Sequence, residues 1–106
     1  MMESQVLAML ANPTVRDVFR TVVQKRRIRF NDLAKLVHGT TSPVSKEEVQ
    51  HVLDDLRAAN LIEAEPAPVQ DFQTYYITAD GLMAARELNR LDAAMSGLRS
   101  AARSRI

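Results

Sequence analysis

Along most of the chain the apolar residues recur every third or fourth position, and only short stretches alternate apolar with polar. The first helical stretch carries Val6, Leu7, Met9 and Leu10 behind a capping Ser4. Asn12-Pro13 restarts the chain, because asparagine favours the N-cap and proline the first helical position. Val15, Val18, Phe19, Val22 and Val23 then mark one stripe of a helix of roughly three turns, which ends at Lys25-Arg26-Arg27. Ile28 and Phe30 alternate with Arg27 and Arg29, which predicts a very short strand.

Asn31 is the expected cap of a third helix, Asp32 to His38, with Leu33, Leu36 and Val37 inward and Gly39 as its stop. A polar turn, Thr40-Thr41-Ser42-Pro43, leads to Val44. Ser45-Lys46-Glu47-Glu48 has the form of a capping box, and Val44 stands where it can pack on Val49 as a hydrophobic staple. The fourth helix turns Val49, Val52, Leu53 and Leu56 inward, and Asn60 is its left-handed stop. Leu61 to Glu65 and Thr74 to Thr78 predict two strands of an antiparallel hairpin, with Pro66 and Pro68 taking the chain out of the ladder between them. Thr78 caps a final helix that runs from about Ala79 towards the C-terminus.

This order predicts a mainly α fold with a small β-hairpin, an α+β winged helix-turn-helix with a long C-terminal helix. A single winged-helix domain is expected over residues 1–106, with a core over 13–78 and a dimerisation helix over 79–106. Three segments carry a resemblance to a known family. Phe30-Asn31-Asp32-Leu33-Ala34-Lys35-Leu36-Val37 resembles the first helix of a helix-turn-helix. Val44 to Ile62, VSKEEVQHVLDDLRAANLI, resembles a recognition helix running into a wing strand. Tyr76-Ile77-Thr78-Ala79-Asp80-Gly81 resembles the second wing strand turning into the last helix. Together, over residues 13 to about 91, they resemble the winged helix-turn-helix transcription regulators of the MarR and PadR types. The turn from Gly39 to Val44 is a few residues longer than the tight turn usual in that family.

Composition narrows the function. The chain has 106 residues, 46% hydrophobic and 25% charged, as expected of one globular domain. No apolar run is long enough to cross a membrane, and the start, with Glu3 and no basic residues, is a poor signal peptide. The lack of cysteine excludes disulfides and thiolate chemistry and fits a reducing, cytoplasmic setting. The net charge of +1 hides a basic–acidic–basic layout: +4 over residues 1–30, −6 over 31–80 and +3 over 81–106.

The resemblance implies that the fourth helix enters the major groove of double-stranded DNA while the wing tip meets the flanking backbone. Transferred residue by residue, it implies that Ser45, Lys46, Glu47, Gln50, His51, Asp54 and Arg57 face DNA. It gives Gln50 a bidentate pairing with adenine and Thr40, Thr41 and Ser42 phosphate contacts. The charges oppose this. Residues 45–60 have Lys46 and Arg57 against Glu47, Glu48, Asp54 and Asp55, and the wing holds Glu63, Glu65 and Asp71 with no cation. Phosphate neutralisation by cations carries most nonspecific DNA affinity. Two features soften the objection. Glu47 and Glu48 complement the helix dipole, and Lys25, Arg26, Arg27 and Arg29 stand beside the motif as phosphate ligands or as a solvated helix end. The alternative function is a winged-helix module that docks a protein partner through its acidic helix 45–60 and wing.

In the last helix, Leu88, Leu91, Met95, Leu98 and Ala102 fall at spacings of three and four, a coiled-coil seam. Leaving such a side chain in water forgoes about 1.5–3 kcal/mol, so the seam predicts a homodimer in preference to a monomer with a folded-back tail, with Val6, Leu7 and Leu10 contributing to the same interface. A two-fold dimer pairs the recognition helices for a palindromic site. The basic end, Arg99 to Arg105, reads as a soluble helix end. His38 and His51 lack matching ligands, so no metal is expected. No nucleophile triad or phosphate-binding glycine loop stands out, so neither a cofactor nor an enzymatic activity is expected. Phe72, Tyr75 and Tyr76 are strand-packing residues or the lining of a small pocket.

Overall fold

The computed structural model describes residues 4–38, 44–69 and 72–104, with backbone alone at His38 and from Met95 onward. Eight elements follow in order: α1 (Ser4–Leu10), α2 (Pro13–Lys25), β1 (Arg27–Arg29), α3 (Phe30–His38), α4 (Lys46–Ala58), β2 (Ile62–Glu65), β3 (Thr74–Ile77) and α5 (Ala79–Ser104). The element order matches the expectation.

Local chemistry accounts for most boundaries. Asn12 Oδ1 accepts from the amides of Thr14 and Val15 at 2.9 and 3.3 Å, and Pro13 opens α2 without a wasted donor. Ser45 Oγ accepts from the Glu48 amide at 3.1 Å, starting α4, and Val44 packs on the core beside it. Helix α4 ends in a Schellman motif. The Leu61 amide donates to Leu56 O at 3.0 Å and the Asn60 amide to Arg57 O at 2.9 Å, with Asn60 at φ 61°. Thr78 Oγ1 accepts from the Gly81 amide at 2.9 Å and starts α5.

Arg26, at the end of α2, has φ 67° and ψ −36°, a region side chains rarely enter. It is held there because its amide donates to Val22 O at 2.8 Å while its carbonyl accepts from Ile77 at 3.1 Å. Glycine reaches this conformation without strain. Arg26→Gly is therefore expected to stabilise the fold by about 1 kcal/mol, measured as a higher denaturant midpoint with unchanged slope; a lower midpoint would contradict the strain.

Two expectations about α3 are corrected. The helix begins at Phe30, so Phe30 opens the helix instead of closing the strand, and Asn31 is not its cap. Its inward face is then Phe30, Leu33, Ala34 and Val37, a spacing of three, four and seven from the first. Leu36 falls off that stripe and is 45% exposed. Likewise Ser4 lies within α1 rather than before it. The stop at Gly39 lies outside the described residues.

The predicted hairpin is part of a three-stranded antiparallel sheet in the order β1-β3-β2. Arg27 pairs with Tyr76, Ile28 with Tyr75 and Arg29 with Thr74; across β3, Glu63 pairs with Tyr76, Ala64 with Tyr75 and Glu65 with Thr74. Alternation puts Ile28, Tyr75 and Ala64 on the core face and the two arginines, Thr74, Tyr76 and the two glutamates on the outer face. The core joins α2, α3, α4 and the sheet around Val18, Phe19, Val22, Leu33, Leu53, Leu56 and Ile62.

The terminal elements also feed that core, which changes the predicted dimer surface. Leu10 and Leu88, both expected at the dimer interface, are buried in the protomer's own core, and Val6 is partly buried against it. The core therefore extends beyond residues 13–78. Leu7 and Leu91 remain exposed, as does Met83. The side chains of Met95, Leu98 and Ala102 lie outside the described residues. An ion pair between Arg20 and Asp92 ties α5 to α2, and α5 continues twelve residues past Asp92. No helix among the described residues is long and apolar enough to cross a membrane.

Candidate nucleic-acid interface

The N-terminal half of α4 is the feature around which a nucleic-acid surface is built. Capping by Ser45 leaves Lys46, Glu47 and His51 exposed, and with Gln50 they line a shallow groove. The capping bond occupies Ser45 Oγ as an acceptor. Thr40, Thr41 and Ser42, expected to meet phosphates in the preceding turn, lie outside the described residues.

Gln50 is not a simple solvent-facing reader. It is half-buried, and its Nε2 donates to Asp54 Oδ1 at 3.0 Å and to the Tyr75 hydroxyl at 3.2 Å. The Tyr75 hydroxyl in turn donates to Gln73 Oε1 at 3.1 Å. Asp54, expected to face DNA, is engaged along its own helix. The pocket suggested for Phe72, Tyr75 and Tyr76 does not form. Tyr75 is wholly buried, Tyr76 lies on the opposite face of β3, and Phe72 is 59% exposed near the wing tip.

The sheet rearranges the charge tally. The wing has no cation of its own, but β1 places Arg27 and Arg29 beside it. Arg27 Nη2 meets Glu65 Oε2 at 2.6 Å, diagonally across β3. Arg57, at the end of α4, meets Glu63 at 3.6 Å. Both wing acids among the described residues, Glu63 and Glu65, are thus paired with arginine. All four pairing side chains are about half exposed, so these bridges add little stability, but they cancel charge locally. Only Lys25 of the basic cluster lies in the last turn of α2. Arg27 and Arg29 belong to a strand, so helix-end complementarity does not account for them.

A continuous set of contacts joins the two surfaces. The Phe30 amide, next to Arg29, donates to Gln73 O at 2.8 Å, and Gln73 reaches Gln50 through Tyr75. Sequence reasoning missed Tyr75 and the Arg27–Glu65 pair, because partners 25 and 38 residues apart leave no local spacing signal. A larger cleft, of about 850 Å³, lies between α1, the end of α4 and the start of α5, lined in part by Met9, Asp55, Asp80, Met83 and Arg90. It shares no residue with the groove of α4. Among the described residues no group of three or more His, Cys, Asp or Glu is placed to hold a metal ion.

No protein-family model matches the sequence, and no curated protein matches it. Solved structures do. The transcriptional regulator homologue from Pyrococcus horikoshii OT3 superposes with a TM-score of 0.70 at 18% identity, over 86% of this chain and 88% of that one. The reduced form of the transcriptional regulator YodB from B. subtilis gives 0.69 at 14% identity, over 88% and 90%. A MarR-like transcriptional regulator from Thermotoga maritima gives 0.64 at 18% identity, over 92% of this chain and 66% of that one. With its α3–α4 pair, its three-stranded sheet and its long closing helix, this chain has the winged-helix fold of the MarR-like transcriptional regulators.

Proposed function

We propose that this protein binds double-stranded DNA as a homodimeric transcription regulator, with α4 in the major groove and the edge of the sheet along the backbone. The observation that carries this reading is the placement of Arg27 and Arg29 on β1, beside a wing that has no cation of its own. The arginines supply the phosphate-binding charge that the wing sequence lacks. Lys46 and His51 at the start of α4 supply base or phosphate contacts, and Lys25 and Arg26 extend the positive edge. Two-fold pairing through α5 sets two recognition helices a fixed distance apart, which suits a palindromic operator. The regulator-type fold of the structural neighbours supports the same assignment. Acting by occupancy of a site, the protein needs neither cofactor nor metal.

A second reading has its own observation. Val69 and Phe72, near the wing tip, are 52% and 59% exposed, an apolar end more suited to a protein partner than to phosphate.

One experiment separates them. The DNA reading expects retention on random duplex at low salt, with affinity falling steeply as salt rises. It also expects Glu65→Gln to tighten that binding by about two- to fivefold, because the change removes an acid and releases Arg27. A wild-type protein that ignores duplex at low salt would leave the docking module as the better account.

A further inference from the structure

Resting on the homodimer in the reading above, we propose that two copies pair their α5 helices antiparallel about Leu91, seating the end of each α5 in the partner's cleft between α1, α4 and α5. That cleft, of about 850 Å³, has an apolar floor of Val6, Met9, Met83 and Ala84. Asp55 and Asp80 stand where it meets the end of α4. Asp80 Oδ2 accepts from Asn60 Nδ2 at 2.8 Å, and among the described residues neither acid is paired with a cation. Arg90, which also lines the cleft, meets Glu87 at 3.3 Å.

Helix register ties this cleft to the exposed seam. Asp80, Ala84, Glu87, Leu91, Ala94 and Leu98 recur at steps of four and three along α5, one stripe of a helix. The first half of the stripe is a wall of the cleft. In the second half, Leu91 and Ala94 are exposed. Past the Arg20–Asp92 pair the helix runs on for twelve residues, about 18 Å, and the protomer measures 57 Å in length against 29 and 21 Å across. In an antiparallel pair crossing at Leu91, a residue beyond that point meets the one equally far before it. Leu98 then lies against Ala84 of the partner subunit, and Ala102 against the partner's Asp80. Two-fold symmetry makes each contact twice.

The match is one of charge as well as position. From Ala93 to Ile106 the sequence holds Arg99, Arg103 and Arg105 and no acid. The pairing carries the last two arginines to the end of the cleft that holds Asp55 and Asp80. It also sets the negative end of one helix dipole beside the positive end of the other. A parallel pair would crowd the arginines of both tails together and leave both clefts open. Ala58 and Ala59, at the end of α4, line the same cleft. The partner's tail therefore braces the reading helix from behind, at the end opposite Lys46.

Cross-linking of the full chain tests this. The chain has no cysteine, so engineered pairs report without background. Ala58 is exposed in the cleft wall. Within one chain Ala102 stands about 33 Å of helix away from Asp80, so a short bismaleimide can join positions 58 and 102 only between copies. Such a linker tolerates offsets that a disulfide does not. Ala58→Cys combined with Ala102→Cys is expected to link into two-chain species in most of the protein, while Ala102→Cys alone is expected to stay at one chain. A link through Ala102→Cys alone marks a parallel pair and overturns the proposal, as does a dimer whose double variant stays unlinked. Met83→Asp, at a position 62% exposed in the protomer, is expected to keep the wild-type denaturant midpoint and to raise the dimer dissociation constant by about tenfold or more; an unchanged constant would also overturn it. If light scattering gives the wild-type protein the mass of one chain, the dimer reading fails and takes this inference with it.

Discussion

Gly81→Ala is expected to destabilise the protein by about 3 kcal/mol or more, at or beyond the upper end of overpacking costs. A Cβ on Gly81 would lie 2.0 Å from the Leu61 carbonyl oxygen and 2.5 Å from Ile77 Cδ1. The isoleucine tip can turn aside. The carbonyl cannot, because Leu61 closes the Schellman motif of α4 through its amide at 3.0 Å, and its oxygen accepts from Thr78 at 3.3 Å. Relief requires the first turn of α5 to lift from the start of β2. That movement would also draw Ala84, Ala85 and Leu88 out of the core. Domains of this size are commonly stable by only about 5–15 kcal/mol, so the loss is a large share of the total. Denaturant unfolding checks it, with a lower midpoint and an unchanged slope. Wild-type stability in the alanine variant would mean that the α4–α5 approach is looser than described.

Leu91→Asp combined with Met95→Asp is expected to convert the proposed dimer to a monomer and, on the proposed DNA-binding function, to weaken duplex binding by about a hundredfold or more, as paired half-site reading is lost. Leu91 is 45% exposed in the protomer, one turn past the buried Leu88, so the change touches no packed core position there. In the proposed dimer, each apolar side chain of the seam would contribute about 1.5–3 kcal/mol on burial, and a carboxylate at the same place would have no partner for its charge. Light scattering of the purified variant gives the mass directly. A wild-type protein already at the mass of one chain, or a variant still at the mass of two, would refute the dimer. The same substitution at Leu88 would not be informative, since that residue belongs to the protomer's own core and its loss would unfold the chain.

The local grammar of the chain was legible because it depends on neighbours a few residues apart. Asn12-Pro13, Ser45 with Glu48, Asn60 and Thr78 each mark a helix end through bonds that reach at most five residues, and all are found in place. The apolar stripes of α2 and α4 were equally plain, since one helix face repeats every three or four positions. At α3 the same logic misplaced one turn. Phe30 satisfies a strand pattern and a helix stripe alike, and the bond from its amide to Gln73 O, just before β3, marks where the ladder gives way to the helix.

The candidate site was less legible. Counting charges along the wing gave acids alone, whereas the sheet sets Arg27 and Arg29 on an adjacent strand and pairs Arg27 with Glu65. Gln50 read as a free base-reader, whereas a tyrosine from the far side of the core holds its nitrogen. The seam pattern ran from Leu88, but how many of its residues the protomer keeps for itself depends on where α5 lies against α2. By itself, then, the sequence determined the elements, their order and their caps, because those follow from short-range bonding and periodicity. Only the tertiary structure decided which charges neutralise one another, which way Gln50 points and which leucines are left for a partner, because each of these joins residues whose proximity is created by strand register and helix packing.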